Sequence, residues 1–295
     1  MTTKTSTLHG SPPKTPNAVG RSSRLGGLSQ WLNHSWKLTT LPLLFFIALP
    51  LLSLFLRTSV ADLLANLNQE QVVRAVGLSL STSLATTAIT LLTGTPVAYL
   101  LAQRRFRFYQ VIDTLIDLPT VLPPAVAGVA LLMAFGRKGI IGVWLAASGI
   151  TIPFTVVAVI MAQTFIAAPL YVKAATIGFA AIDPELKQAA ALDGADRLQT
   201  FRYIVLPLAW TALLSGSVMT WARALGEFGA TIIFAGNFPG RTQTMPLAIY
   251  IGFEIDLNVA LTLAIILICF SFLTLILVKG VLHRRLDVDY KSISA

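Results

Sequence analysis

Leu257-Asn-Val-Ala-Leu-Thr-Leu-Ala-Ile-Ile-Leu-Ile-Cys-Phe-Ser-Phe-Leu-Thr-Leu-Ile-Leu-Val278 runs without one charged side chain. A helix needs about 20 apolar residues to cross the hydrocarbon core of a bilayer, and this stretch has that length. Leu38–Leu56, Ala75–Gln103, Leu118–Gly136 and Gly139–Val172 are also charge-free and long enough. The last is too long for one helix, because at ~1.5 Å per residue it overshoots a ~30 Å core. Ser148-Gly-Ile-Thr-Ile-Pro153 supplies a break. Ile140–Ala147 then reads as a short surface or re-entrant helix, and Phe154–Val172 as the span. A further stretch from Leu208 to about Gly236 is interrupted by Arg223 and Glu227. The reading is an all-α integral membrane protein with six spans.

Composition agrees. Of 295 residues, 55% are apolar and 12% charged, against roughly a quarter charged in a soluble domain. Mean hydropathy is +0.74. One cysteine, Cys269, excludes an internal disulfide or a thiolate cluster. His9, His34 and His283 lie outside the apolar runs, which argues against a haem or metal centre within the membrane.

The net charge of +9 is explained by topology. With the N-terminus inside, sixteen Lys and Arg fall in inner segments and five in outer ones, with Arg223 inside a span. Positive charge concentrates on the cytoplasmic side, so both termini are expected there and no nucleic-acid partner is needed. Residues 1–36 carry no acid and are rich in Ser, Thr, Pro and Gly. They are expected to form a disordered basic tail, with an organellar transit peptide as the minority reading. A cleaved secretory signal is not expected, since the first apolar run starts late and is long enough to span. Trp31 and Trp36 stand where interfacial anchors would be. The expected domains are the tail, a transmembrane domain over 37–282, and a cytoplasmic tail over 283–295.

Between spans four and five the chain reads Ala181-Ile-Asp-Pro-Glu-Leu-Lys-Gln-Ala-Ala-Ala-Leu-Asp-Gly194, then Ala-Asp-Arg-Leu-Gln-Thr-Phe-Arg-Tyr-Ile204-Val-Leu-Pro207. Asp183 is a good N-cap, Pro184 suits the first helical position and Glu185 complements the helix dipole. Gly194 is placed to end that helix in the left-handed conformation. A second helix is expected from Arg197 to Ile204, and Pro207 opens span five. The residues describe a helix–turn–helix over 181–207 with a small, Ala-rich tip, suited to close docking by another protein. An ordinary helical loop on the headgroups would look similar.

This segment resembles the "EAA" signature of ATP-binding-cassette importer permeases: EAA, three residues, Gly, nine residues, Ile-x-Leu-Pro. Here Gln188-Ala189-Ala190 is followed at those spacings by Gly194 and by Ile204-Val205-Leu206-Pro207. Only Gln188 departs, keeping an acceptor but losing the charge. The resemblance implies that Gln188, Ala189, Ala190, Gly194, Ile204, Leu206 and Pro207 belong to the element that docks an ATPase subunit. Trp221-Ala-Arg-Ala-Leu-Gly-Glu-Phe-Gly-Ala-Thr-Ile-Ile-Phe-Ala-Gly-Asn237 and its continuation to Tyr250 are similar to molybdate permeases. So is Asp117-Leu-Pro-Thr-Val-Leu-Pro-Pro-Ala-Val-Ala-Gly128. Sulfate permeases share the Ala-Leu-Gly-Glu core.

No GxxxxGK[ST] phosphate loop occurs, so any ATPase is a separate chain. The resemblance implies a homodimeric permease, ATPase subunits holding ATP and Mg, and an extracytoplasmic oxyanion-binding protein at a plasma (inner) membrane. The chain itself is expected to bind no cofactor or metal and to carry no catalytic residue. The rivals are a sulfate permease of a heterodimeric pair, an ion-coupled secondary transporter, and a membrane enzyme.

Candidate pathway residues follow. Arg223 and Glu227 lie four apart on one helix face and can pair. An intramembrane charge marks function by default; the pair either forms a gate or oxyanion path at a dimer axis, or braces span five. Gly226 and Gly229 permit close helix approach. Span two carries a hydroxyl stripe, Ser79, Ser83, Thr86, Thr90 and Thr93, which lines a wet path or bonds across helices. Pro119, Pro123 and Pro124 must disrupt span three. Asp113 and Asp117 read as wetted at the inner interface. Asn237–Thr244 is expected to face outward, as a docking surface or a solvated loop.

Overall fold

The computed structural model describes residues 22–104 and 107–293, with side chains from Thr40 onward except at 278 and 281–293. Residues 1–21 of the expected tail, and the side chains of Trp31 and Trp36, lie outside the described residues. The helices are α1 (Ser22–Arg57), α2 (Val60–Leu67), α3 (Glu70–Gln103), α4 (Tyr109–Val121), α5 (Pro124–Phe135), α6 (Gly142–Ala147) and α7 (Val156–Ala180). After them come α8 (Pro184–Leu192), α9 (Arg197–Thr200), a π-helical turn (Phe201–Val205), α10 (Leu206–Leu225), α11 (Gly229–Phe234), α12 (Met245–Ile255) and α13 (Leu257–Ile293).

The chain divides after Leu56 into two units. The first is α1, whose stretch Thr40–Arg57 is apolar enough to cross a membrane. This helix begins at Ser22, so 22–36 is helical where a structureless tail was expected. No proline stands between Ser22 and Pro42 to stop the helix growing back from the apolar run. Likewise α13 runs on to Ile293, through most of the expected C-terminal tail.

In the second unit α3, α7, the helix Arg197–Leu225 and Leu257–Leu277 are each long and apolar enough to span. With α1 that makes five, and six where α4 and α5, bent by 117° at their break, are taken together as one span. The centre is the packing of α7 against α3 and α10. Ala98, Leu101, Tyr171, Val172, Ala175, Phe179, Val205 and Ala209 form one buried end of it. The hydroxyl stripe of α3 points into this packing. Ser79, Ser83, Thr86 and Thr90 are buried, while Thr93 is exposed. Thr86 donates to Gln163 Oε1 at 3.1 Å, and Gln163 Nε2 donates to Thr82 at 3.2 Å. Such bonds between helices contribute about 0.6 kcal/mol each. They fix the register of α3 on α7, because a slip would strand the buried amide of Gln163.

The loop after span five is more structured than its sequence suggests. Thr242, Gln243 and Thr244 are buried, and only 238–241 are exposed. Met245 N–H donates to Ser79 Oγ at 2.7 Å. That bond ties the start of α12 to α3, and α12 also packs on α13. The outward loop expected over Asn237–Thr244 is therefore reduced to its tip.

Candidate functional site

Two sites emerge, one within the spans and one projecting from them. Within the spans, two helices are broken and the breaks touch. Span three breaks at Leu122 and Pro123, both extended (ψ 137 and 131), between α4 and α5. Pro123 and Pro124 cannot donate to the ladder, and Pro124 then starts α5. Pro119 sits inside α4 without breaking it. Span five breaks at Gly226–Phe228, between α10 and α11. A Cβ on Gly229 would lie 2.7 Å from Pro124 Cβ, and one on Gly128 would lie 2.8 Å from the carbonyl oxygen of Ala230. Only glycine permits this approach at either position.

Arg223 and Glu227 straddle the second break. Arg223 Nη1 lies 2.7 Å from Glu227 Oε2. Glu227 Oε1 accepts from Ala230 N–H at 2.9 Å. Both carboxylate oxygens are thus engaged, one on each side of the break. Glu227 is 1% exposed and the Arg223 side chain 35% exposed. The carboxylate is a buried clasp. The guanidinium has five donors, and its remaining N–H groups have no partner among the described residues. A cation so held can receive a tetrahedral oxyanion through charge-assisted bonds. Pro123 is exposed beside this junction. Thr86 and Thr90 are buried in helix packing instead, and the Thr90 hydroxyl has no partner among the described residues.

The projecting site is the turn between α8 and α9. Asp183 Oδ1 accepts from Glu185 N–H at 2.9 Å, capping α8. Gly194 adopts φ +87, and Ala195 N–H bonds back to Ala190 C=O at 2.9 Å. Asp196 and Gln199 form a reciprocal capping box that starts α9. The π-helical turn then leads into α10 without a break, because the whole helix runs from Arg197 to Leu225. Pro207 explains the widened turn: its ring would collide with the carbonyl four residues back in a regular helix, and Leu206 N–H instead reaches Phe201 C=O.

Gln188, Ala189 and Gly194 are exposed, while Ala190 packs inward. Ile204 and Leu206 are half-buried beneath the projection, and Pro207 is exposed. Leu192 is 89% exposed and Leu198 72% exposed. Two large apolar side chains standing out from a polar projection suit a protein contact. Neither is among the docking residues expected from sequence, although Asp193, Gly194 and Asp196 already place both at the turn. A cavity of about 700 Å³ lies behind the projection, lined by Tyr99, Gln103, Phe179, Lys187, Gln188 and Arg197 among others, with no carboxylate in its walls.

Comparison with known proteins gives the family. Residues 94–287 match the model of the binding-protein-dependent transport system inner membrane component. The probable transport system permease protein NifC of Clostridium pasteurianum is 36% identical over 239 residues, covering 80% of this chain and 84% of that one. The molybdenum transport system permease protein ModB of Mycobacterium tuberculosis is 38% identical over 231 residues, 78% of this chain and 88% of that one. The fold is that of a chain in the crystal structure of a bacterial alginate ABC transporter with its alginate-bound periplasmic protein. That match has a TM-score of 0.67 at 16% identity, over 86% of this chain and 94% of that one. The chain is a multi-pass membrane protein and belongs to the family of binding-protein-dependent transport system inner membrane components.

Proposed function

We propose that this chain is the permease subunit of an ATP-driven molybdate importer, with tungstate as a second cargo. The observation that carries the reading is the part-exposed Arg223 side chain, held by a buried carboxylate where two broken spans meet. Non-helical backbone at membrane depth is tolerated where it is packed in protein or lines a cavity. A fixed cation there suits a dianion in transit. The likeness to relatives named as molybdenum permeases supports the cargo.

Two copies of the chain form the path, with the Arg223 faces toward the shared axis. Separate ATPase subunits hold ATP and Mg, and dock on the projection at Gln188, Ala189 and Leu192. An extracytoplasmic oxyanion-binding protein delivers the cargo. Closure of the ATPases draws the projections together and opens the path outward; release resets it. Both termini lie in the cytoplasm, a reading that the count of basic residues supports.

The subunit arrangement is tested by native mass measurement of the complex purified through a tag on this chain. Two copies of this chain with two ATPase chains are expected. A second, different permease chain in place of the second copy would overturn the homodimer and favour sulfate as cargo.

A further inference from the structure

Asp113 and Asp117 read from sequence as wetted groups at the inner interface. They are not separate. Both lie on α4, four residues apart and so on one face, where two like charges repel. Between them sits Lys173, the single charged residue of α7. Lys173 Nζ is 2.6 Å from Asp113 Oδ1 and 2.8 Å from Asp117 Oδ2. The three side chains are 33%, 28% and 43% exposed, so the cluster is partly withdrawn from water.

Its place in the chain gives it meaning. The last residue of α7 is Ala180, and α8 begins at Pro184. The end of α7 that carries Lys173 is therefore joined to the projection by three residues. On the other side, α4 ends at Val121, immediately before the break at Leu122 and Pro123. Pro124, just past that break, touches Gly229 beside the Arg223–Glu227 clasp. Resting on the transporter reading above, we infer that the Lys173–Asp113–Asp117 cluster is the tie that transmits movement of the projection to the junction of the broken spans. When the ATPases move the α7–α8 corner, the cluster makes α4 follow, and the bend of 117° between α4 and α5 changes at the junction. Apolar contacts of Tyr109, Ile112 and Ile116 keep α4 on the core. They set where α4 sits, and a sliding apolar contact transmits little pull along the helix. Two short ionic bonds resist it.

The test is cargo uptake and ATP hydrolysis measured together, in the complete transporter reconstituted in vesicles. Lys173→Met keeps the stem of the side chain and its packing while removing the charge. It is expected to keep the ATPase bound and hydrolysing, while uptake per ATP falls about tenfold. Lys173→Arg is expected to couple like the original chain. The swap Lys173→Asp with Asp113→Lys restores one ion pair between the helices but sets the new carboxylate on α7 against Asp117, and is expected to regain coupling in part. Asp117→Asn leaves one bond and is expected to fall between. A merely structural brace predicts lower abundance of Lys173→Met with unchanged uptake per ATP, and that result would overturn the inference. So would a swap variant as uncoupled as Lys173→Met. Absence of ATP-driven uptake in the unaltered chain would instead overturn the transporter reading, and the tie with it.

Discussion

Gly194→Pro is expected to abolish ATP-driven uptake while leaving the chain in the membrane at normal abundance. Gly194 stands at φ +87, whereas proline is locked near −65°. The substitution also removes the Gly194 N–H that bonds to Ala191 C=O. The cost of forcing proline there is roughly 3 kcal/mol or more, about a hundredfold in the population of the correctly shaped turn. The chain escapes by reshaping the projection, which is exposed, rather than the core. No neighbouring heavy atom lies within 4 Å of a Cβ built at Gly194, so the effect is one of backbone geometry and not of a clash. Gly194→Ala separates the two: it fits the space and carries a strain of only about 1–2 kcal/mol. Its uptake should fall far less. Co-purification of the ATPase with each variant checks the prediction, with retention by Gly194→Ala and loss by Gly194→Pro.

Arg223→Leu is expected to be the most damaging single change within the spans. It leaves Glu227, at 1% exposure, as an unpaired buried carboxylate, a loss of about 3–5 kcal/mol. The variant should fail to accumulate in the membrane. Glu227→Gln should be milder, because Gln still accepts from Ala230 N–H and the freed guanidinium is part-exposed. The double variant Arg223→Leu with Glu227→Gln removes both charges and should recover abundance. Its uptake should stay low if the guanidinium meets the cargo. Quantitative membrane blots alongside uptake separate folding from transport. A double variant that transports normally would reduce the pair to a brace.

The contrast between these two sites shows what sequence alone conveys. The projection was legible residue by residue, because caps, first-turn prolines and left-handed glycines act within a few residues: Asp183, Pro184 and Gly194 each do what their chemistry requires. The spans were legible from their apolar length. The prolines of span three announced a disruption, but not that it would meet the Gly226–Gly229 break, since that contact joins residues a hundred positions apart. The Lys173 cluster was hidden for the same reason. Its partner Asp113 is 60 residues away, and each charge alone looks like an ordinary residue at a membrane edge. The short helix α12 was missed because its 11 residues are too few to span, and its position depends on bonds to α3. Continuity between α9 and α10 was masked by Pro207, which usually marks a start and is here absorbed by a π-helical turn.

The central claim, that this chain carries an oxyanion inward under ATP control, is tested most directly by uptake of labelled molybdate into vesicles. These would hold the chain with its ATPase, with the binding protein outside and ATP within. The account predicts uptake that requires ATP, is competed by tungstate and resists excess sulfate. Uptake that proceeds without ATP or the ATPase would contradict it.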